Sequence, residues 1–247
     1  MTIDKECSTE LFVFDFDETI VNCNSDTYID RLAPGGVIPE QLWKSFKNDN
    51  DWTAYMQQVF AYLHSVGIRE DAYKKCLATM PFVEWLPKLL ANLENGTTNK
   101  RFEVVIISDA NSFFIGYALE HHKLNHIFMK VFTNPAHFDA NGCLQIERFH
   151  EQNWCKLSSR NLCKGHIMKD FIAKRLAAGV HYDRINYAGD GSNDLCPSLK
   201  LSKNDRVFPR SGYPLHRLLA NRKESGELSA QVFPFTSGED IWKVLTS

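Results

Sequence analysis

Two aspartates two residues apart, Asp15 and Asp17, close an apolar run in the stretch LFVFDFDETIVNCN. Residues i and i+2 of an extended chain point the same way, so both carboxylates would face one ligand from the end of one strand. Buried like charges repel, and the pair makes sense when a cation or a shared proton neutralises it. Oxygen donors of this kind suit Mg2+. Three other polar groups have a similar setting. Ser108 and Asp109 follow FEVVII, Lys164 opens a helical pattern, and Asp190, Asn193 and Asp194 follow RINYA. The glycines of GDGSND permit a tight turn and close backbone approach to a ligand.

The elements that must position these groups alternate in type. Short apolar runs at 102–107, 131–134, 184–188, 206–208 and 230–235 join the opening run as expected strands. Helical spacing predicts helices over 82–93, 113–121, 164–178, 214–223 and 238–245. Asn141-Gly142 is a turn signal, which predicts a hairpin between 131–134 and 143–149. Strands alternating with helices imply an α/β fold with a doubly wound parallel sheet, whose ligands sit beyond the carboxyl ends of the strands. Between the first strand and the rest lies a block of helical patterns at 25–32, 39–48, 51–67 and 69–80. The longest has Asp51 as N-cap, Gly67 as its stop, and Trp52, Tyr55, Met56, Val59, Phe60 and Leu63 at helical spacing. The expected organisation is a core of 10–23 and 82–247 with a helical cap of 24–81.

Composition narrows the class. At 247 residues with 44% hydrophobic and 23% charged residues, the chain can build a sizeable core. A net charge of -2 leaves no footprint for nucleic acid. No run of 18 apolar residues occurs and the N-terminus MTIDKECSTE is polar, so neither a membrane span nor a signal peptide is expected. Seven scattered cysteines suit reduced thiols, and hence a cytoplasmic protein.

Together and in this order, the four polar groups resemble the four motifs of the haloacid dehalogenase superfamily in its Mg2+-dependent phosphatase branch. The resemblance implies a Rossmann-like core with Asp15 as the nucleophile that forms an aspartyl phosphate and Asp17 as general acid and base. It implies phosphate-binding hydroxyls at Thr19 and Ser108 and a fixed positive charge at Lys164. A Mg2+ shell would draw on Asp15, Asp17 through its main-chain carbonyl, and Asp190, with Asn193 and Asp194 standing behind it. Longer stretches, DFDETIV, IISDANSF, NLCKG and GDGSNDLCP followed by FPRSGYPLHRL, are similar to the phosphoethanolamine/phosphocholine phosphatase family and to its relative described as a pyridoxal phosphate phosphatase. That similarity implies a small-molecule phosphate ester with a cationic head, read by Asp26 and Asp109, with pyridoxal 5'-phosphate as the alternative substrate. Trp52 or Tyr55 at that site would add a cation-π wall, although an aromatic at helical spacing is more often core. A phospho-Asp signalling or binding module is a rival reading, but receiver domains are about half this length and lack the helical insertion.

Two regions carry weaker expectations. Relatives in that family commonly have three cysteines before the motif lysine, whereas here Cys155 and Cys163 flank Ser158. His150 and His166 would complete a zinc-like set with them, but no C-x-x-C is present, and no structural zinc is expected. Segment 200–223, with Arg206, Arg210, Arg217 and Arg222, is expected to be a solvated basic face.

Overall fold

The computed structural model describes residues 7–49, 51–97 and 99–247. Residues 1–6, on which the absence of a signal peptide was read, lie outside them, as do Asn50 and Thr98. In chain order the strands are β1 (Ser8–Phe14), β2 (Lys100–Asn111), β3 (Phe128–Asn134), β4 (Ala136–Phe138), β5 (Leu144–Ile146), β6 (Arg184–Gly189), β7 (Arg206–Pro209) and β8 (Gln231–Val232). The helices are α1 (Ser25–Tyr28), α2 (Glu40–Asp49), α3 (Trp52–Ser65), α4 (Glu70–Leu77), α5 (Leu86–Asn95), α6 (Ser112–His121), α7 (Lys164–Ala177), α8 (Leu195–Ser198), α9 (Pro214–Glu224) and α10 (Gly238–Thr246).

Six strands form one sheet in the order β3-β2-β1-β6-β7-β8, with every neighbouring pair parallel. The opening run is apolar throughout because both faces of its strand are covered. Phe12 and Phe14 pack on one side with Val104, Ile106, Ala188 and Phe208, while Leu11 and Val13 pack on the other with Val105, Ile107, Tyr187 and Val207. Helices α7 and α9 cover the second face through Ile167, Met168, Phe171, Leu215 and Leu219. The first face is covered by α5, α6 and α10, and the inserted helices α3 and α4 join the same core. Phe60 of α3 meets Phe114 of α6 edge to face at 5.8 Å. Each such fully buried ring contributes about 2–3 kcal/mol by burial.

The chain leaves β1 toward β2 on one side and β6 on the other, so the sheet's switch point lies at the end of β1, where Asp15 stands. The backbone pairing runs one step past the strand, with Asp15 N–H donating to the Ala188 carbonyl at 2.9 Å. Strand β2 continues through Ser108 and Asp109 to Asn111 with a register shift between Ile107 and Asn111.

Several expected boundaries move. The hairpin joins β4 to β5 and leaves 131–134 to β3, because Pro135 interrupts the chain and β3 pairs in parallel with β2. Asp139 Oδ1 closes that hairpin by accepting from the N–H groups of Asn141 and Cys143, both at 2.9 Å. The helix expected from residue 82 starts at Leu86, since Phe82 pairs with Val21 and the Val83 N–H donates to the Ile20 carbonyl at 3.0 Å. Of 230–235 only Gln231 and Val232 form a strand. The basic segment is not a solvated face at Arg206 and Arg210. Arg206 is buried against Glu10, and Arg210 pairs with Glu18 across the sheet end at 2.9 Å.

Candidate active site

At the carboxyl ends of β1, β2 and β6 lies a cavity of about 430 Å³ whose lining includes Asp15, Asp17, Asp26, Trp52, Asp109, Asp190 and Asn193. The structure thus brings together carboxylates that the chain separates by up to 175 positions. Thr19, Ser108, Lys164 and Asp194 do not line it. They are buried, each 0–1% exposed.

The floor is built around Lys164, the first residue of α7. Its Nζ lies 2.6 Å from Asp15 Oδ2 and 2.8 Å from Asp194 Oδ1, with the ammonium fully buried between them. Burial alone would lower the lysine, but the two carboxylates hold it above its usual value. Asp15 Oδ1 accepts from the Phe16 N–H at 2.7 Å. Burial raises Asp15 well above the ordinary carboxylate range, Lys164 works against that, and Asp194 and Asp190 add to it.

Asp194 and Asp190 stand four residues apart in one turn but differ in their surroundings. Asp194 Oδ1 also accepts from the Tyr187 hydroxyl at 2.5 Å, and its Oδ2 accepts from the N–H groups of Asp190 and Gly191 at 3.1 and 2.9 Å. Room for it depends on Gly189, where a Cβ would sit 2.6 Å from Asp194 Oδ2. The Asp190 side chain has no hydrogen bond to another described residue, and burial, followed by the charge of Asp194, pushes its carboxyl up to about 7. Carboxylate oxygens of Asp15, Asp190 and Asp194 all lie within 4.8 Å of one another.

The wall differs from the floor. Asp17 Oδ1 accepts from the Ser25 N–H at 3.0 Å, and burial, then the like charge of Asp26, raises Asp17 well above its usual value. Asp26, in the first turn of α1, is 3% exposed; its Oδ2 accepts from the Trp52 indole N–H at 2.7 Å, and its Oδ1 has no partner among the described residues. Burial pushes Asp26 up to about 7, against the indole hydrogen bond that lowers it. Asp109 is clamped instead: Asn193 Nδ2 donates to both of its oxygens at 3.0 Å and the Ser159 hydroxyl donates to Oδ2 at 3.4 Å. Thr19 Oγ1 is buried with no partner, whereas Ser108 Oγ accepts from the Ala110 N–H at 3.3 Å. Tyr55 is not in the lining; it is buried in an aromatic group with Trp43, Phe46 and Trp52.

Sequence reasoning missed the rim beside Asp190. Glu18, at φ 52 in the left-handed region, turns its carboxylate to Arg210 and to the Tyr213 hydroxyl, each 2.9 Å from Oε2. The FPRSGYP stretch was noticed only as a likeness, and nothing in spacing alone joins it to a residue 192 positions earlier.

Known proteins resemble this chain in sequence and in fold. A mouse protein named pyridoxal phosphate phosphatase PHOSPHO2 is 41% identical over 232 residues, covering 94% of this chain and 95% of its own. A human phosphoethanolamine/phosphocholine phosphatase is 38% identical over 236 residues, covering 94% and 86%. Among solved structures, phosphoserine phosphatase in its apo form superposes with a TM-score of 0.61 at 18% identity over 96% of this chain and 98% of that one, a likeness of fold. The family model described as Putative Phosphatase matches residues 10–247. The chain therefore belongs to that phosphatase family.

Proposed function

We propose that the protein hydrolyses a small, cationic phosphate monoester such as phosphoethanolamine or phosphocholine, through a phosphoryl group carried transiently on Asp15. The observation that carries this reading is Lys164 buried beneath an acidic cavity, 2.6 Å from the Asp15 that lines it. A carboxylate beside a fixed cation at the switch point of the sheet is suited to attack phosphorus, since the same cation offsets charge on the transferring group. Attack forms the Asp15 Oδ–P bond and breaks the P–O bond to the leaving alkoxide. Asp17, held above its usual value by burial, retains a proton to give to that alkoxide and then takes one from the water that cleaves the aspartyl phosphate. Thr19 Oγ1, buried without a partner, offers a hydroxyl to a phosphate oxygen, and Ser108 offers another.

The donors fit Mg2+. Asp15 and Asp190 present carboxylate oxygens, hard donors, and the Asp190 side chain makes no hydrogen bond to another described residue. The Asp17 main-chain carbonyl would join them, while Asp194, whose oxygens are taken by Lys164, Tyr187 and two N–H groups, holds the lysine and the turn. When bound, Mg2+ supplies charge neutralisation for the acidic floor and for the phosphoryl oxygens.

Substrate choice falls to the wall. Asp26 keeps one buried oxygen free and would pair with an ammonium, whereas Asp109 is positioned by Asn193 and Ser159 beside it. The Trp52 indole lines the same wall and favours a cation on its face, or the pyridine ring of pyridoxal 5'-phosphate, the second reading. We take 24–81 as the cap over a core of 10–23 and 82–247, closing on the ester to exclude water. The test is kcat/KM for phosphate release with Mg2+ from phosphoethanolamine, phosphocholine and pyridoxal 5'-phosphate side by side. Preference for the two amines supports the proposal; preference for pyridoxal 5'-phosphate transfers the same chemistry to the second reading.

A further inference from the structure

Behind the floor, three thiols converge that the phosphatase reading does not use. Cys155 and Cys163 come from the segment leading into α7, and Cys196 comes from α8. Cys196 Sγ lies 3.4 Å from Cys155 Sγ and 3.8 Å from Cys163 Sγ, and all three sulfurs are within 4.8 Å of one another. A tetrahedral zinc site with Zn–S bonds of about 2.3 Å has sulfurs about 3.8 Å apart, so the group is already close to the size of three corners of one. We propose that these cysteines form a structural site for a thiophilic divalent ion, zinc, distinct from the carboxylate floor.

The surroundings are built around the thiols. A Cβ on Gly165 would lie 2.6 Å from Cys196 Sγ, so the glycine at the start of α7 leaves the space that the sulfur occupies. Gln152 folds the segment into shape, accepting from the Cys155 N–H at 2.9 Å and donating to the carbonyls of Cys155, Ser158 and Ser159 at 3.1, 3.1 and 2.8 Å. Ser158 Oγ reaches both Cys155 and Cys163, at 3.4 and 3.2 Å, and would supply the fourth corner. The expectation of no structural zinc weighed His150 and His166 as partners of the thiols; in the structure both have other roles. His150 Nε2 accepts from the Cys163 N–H at 2.9 Å, and His166 pairs with Asp170 at 3.3 Å. The set is therefore three sulfurs and a hydroxyl, a composition that selects zinc over Mg2+. Each cysteine binds as a thiolate, and its proton passes to solvent.

The site sits where it can hold the floor together. Cys163 directly precedes Lys164, and Cys196 lies two residues past Asp194, the partner of Lys164 at 2.8 Å. An ion bridging the two cysteines fixes the backbones that carry that pair.

The protein purified without chelators is expected to hold about one zinc per chain by mass spectrometry of metals, and the Co2+-substituted protein to show thiolate-to-cobalt charge transfer. The cobalt signal separates this site from the carboxylate floor, which has no sulfur. Ser158→Cys supplies a fourth sulfur at the fourth corner and should hold zinc at least about tenfold tighter against a competing chelator. Cys196→Ser should abolish the charge-transfer band. The proposal is overturned if the wild-type protein carries no stoichiometric zinc and its cobalt form lacks the band, if Ser158→Cys gains no affinity, or if mass mapping finds Cys155 and Cys196 joined as a disulfide in place of the metal.

Discussion

The floor and the wall of the cavity are both acidic, yet among the described residues only the floor has a cation buried beneath it. On the floor, Lys164 is buried between Asp15 and Asp194 at 2.6 and 2.8 Å, and Asp194 has both oxygens engaged by protein donors. On the wall, Asp26 is just as buried but has no cation beside it among the described residues: the Trp52 indole donates to one oxygen, the Asn111 amide stands near, and the other oxygen makes no hydrogen bond of normal geometry. A buried carboxylate without a cation is costly, and proteins retain one where a ligand supplies the missing charge. On the proposed function, the floor would take the phosphoryl group common to every ester, and the wall would read what distinguishes one ester from another.

This contrast can be broken at four points. Asp15→Asn removes the proposed nucleophile and should lower kcat for Mg2+-dependent phosphate release by at least about a thousandfold on every ester. Lys164→Met strips the floor of its cation. It should cut kcat/KM by about a hundredfold or more and destabilise the fold by about 3–5 kcal/mol in denaturant titration, because Asp15 and Asp194 lose a buried partner. A smaller effect comes from pH. Asp26 has its carboxyl pushed up to about 7 by burial, so it is anionic above that value and becomes neutral below it. KM for a cationic ester, divided by KM for a neutral ester to cancel ionisation of the phosphate, should rise as pH falls through about 7, by up to about tenfold per unit. A flat ratio from pH 8 to pH 5.5 would remove Asp26 from substrate recognition. The fourth point is Asp26 itself.

How much of this was legible in the chain depends on distance along it. The run ending at Asp15 announced a strand buried on both faces, and Asp51, accepting from the Ala54 N–H at 3.1 Å, caps α3 as its residue type foretold. Asp15, Ser108, Asp109 and Asp190 each follow a recognisable apolar strand, so their meeting at one sheet end followed from parallel topology. Pairings across the chain carried no such local signal. Cys196 reads as part of the GDGSNDLCP turn, and only the packing of α8 on α7 brings it to Cys155 and Cys163. Arg210 reads as surface charge until the left-handed backbone at Glu18 turns a carboxylate toward it. The Trp52 hydrogen bond to Asp26 was hidden likewise, because an aromatic at helical spacing has the signature of core whether or not its N–H is engaged.

The division between floor and wall is tested most directly by Asp26→Asn, through KM for phosphocholine and for a neutral phosphate monoester with Mg2+ at pH 8, where the carboxylate is ionised. The account expects KM for phosphocholine to rise about tenfold or more while KM for the neutral ester changes by less than about threefold. Equal changes for both esters, or a loss confined to kcat, would contradict it and return Asp26 to the structure of the pocket.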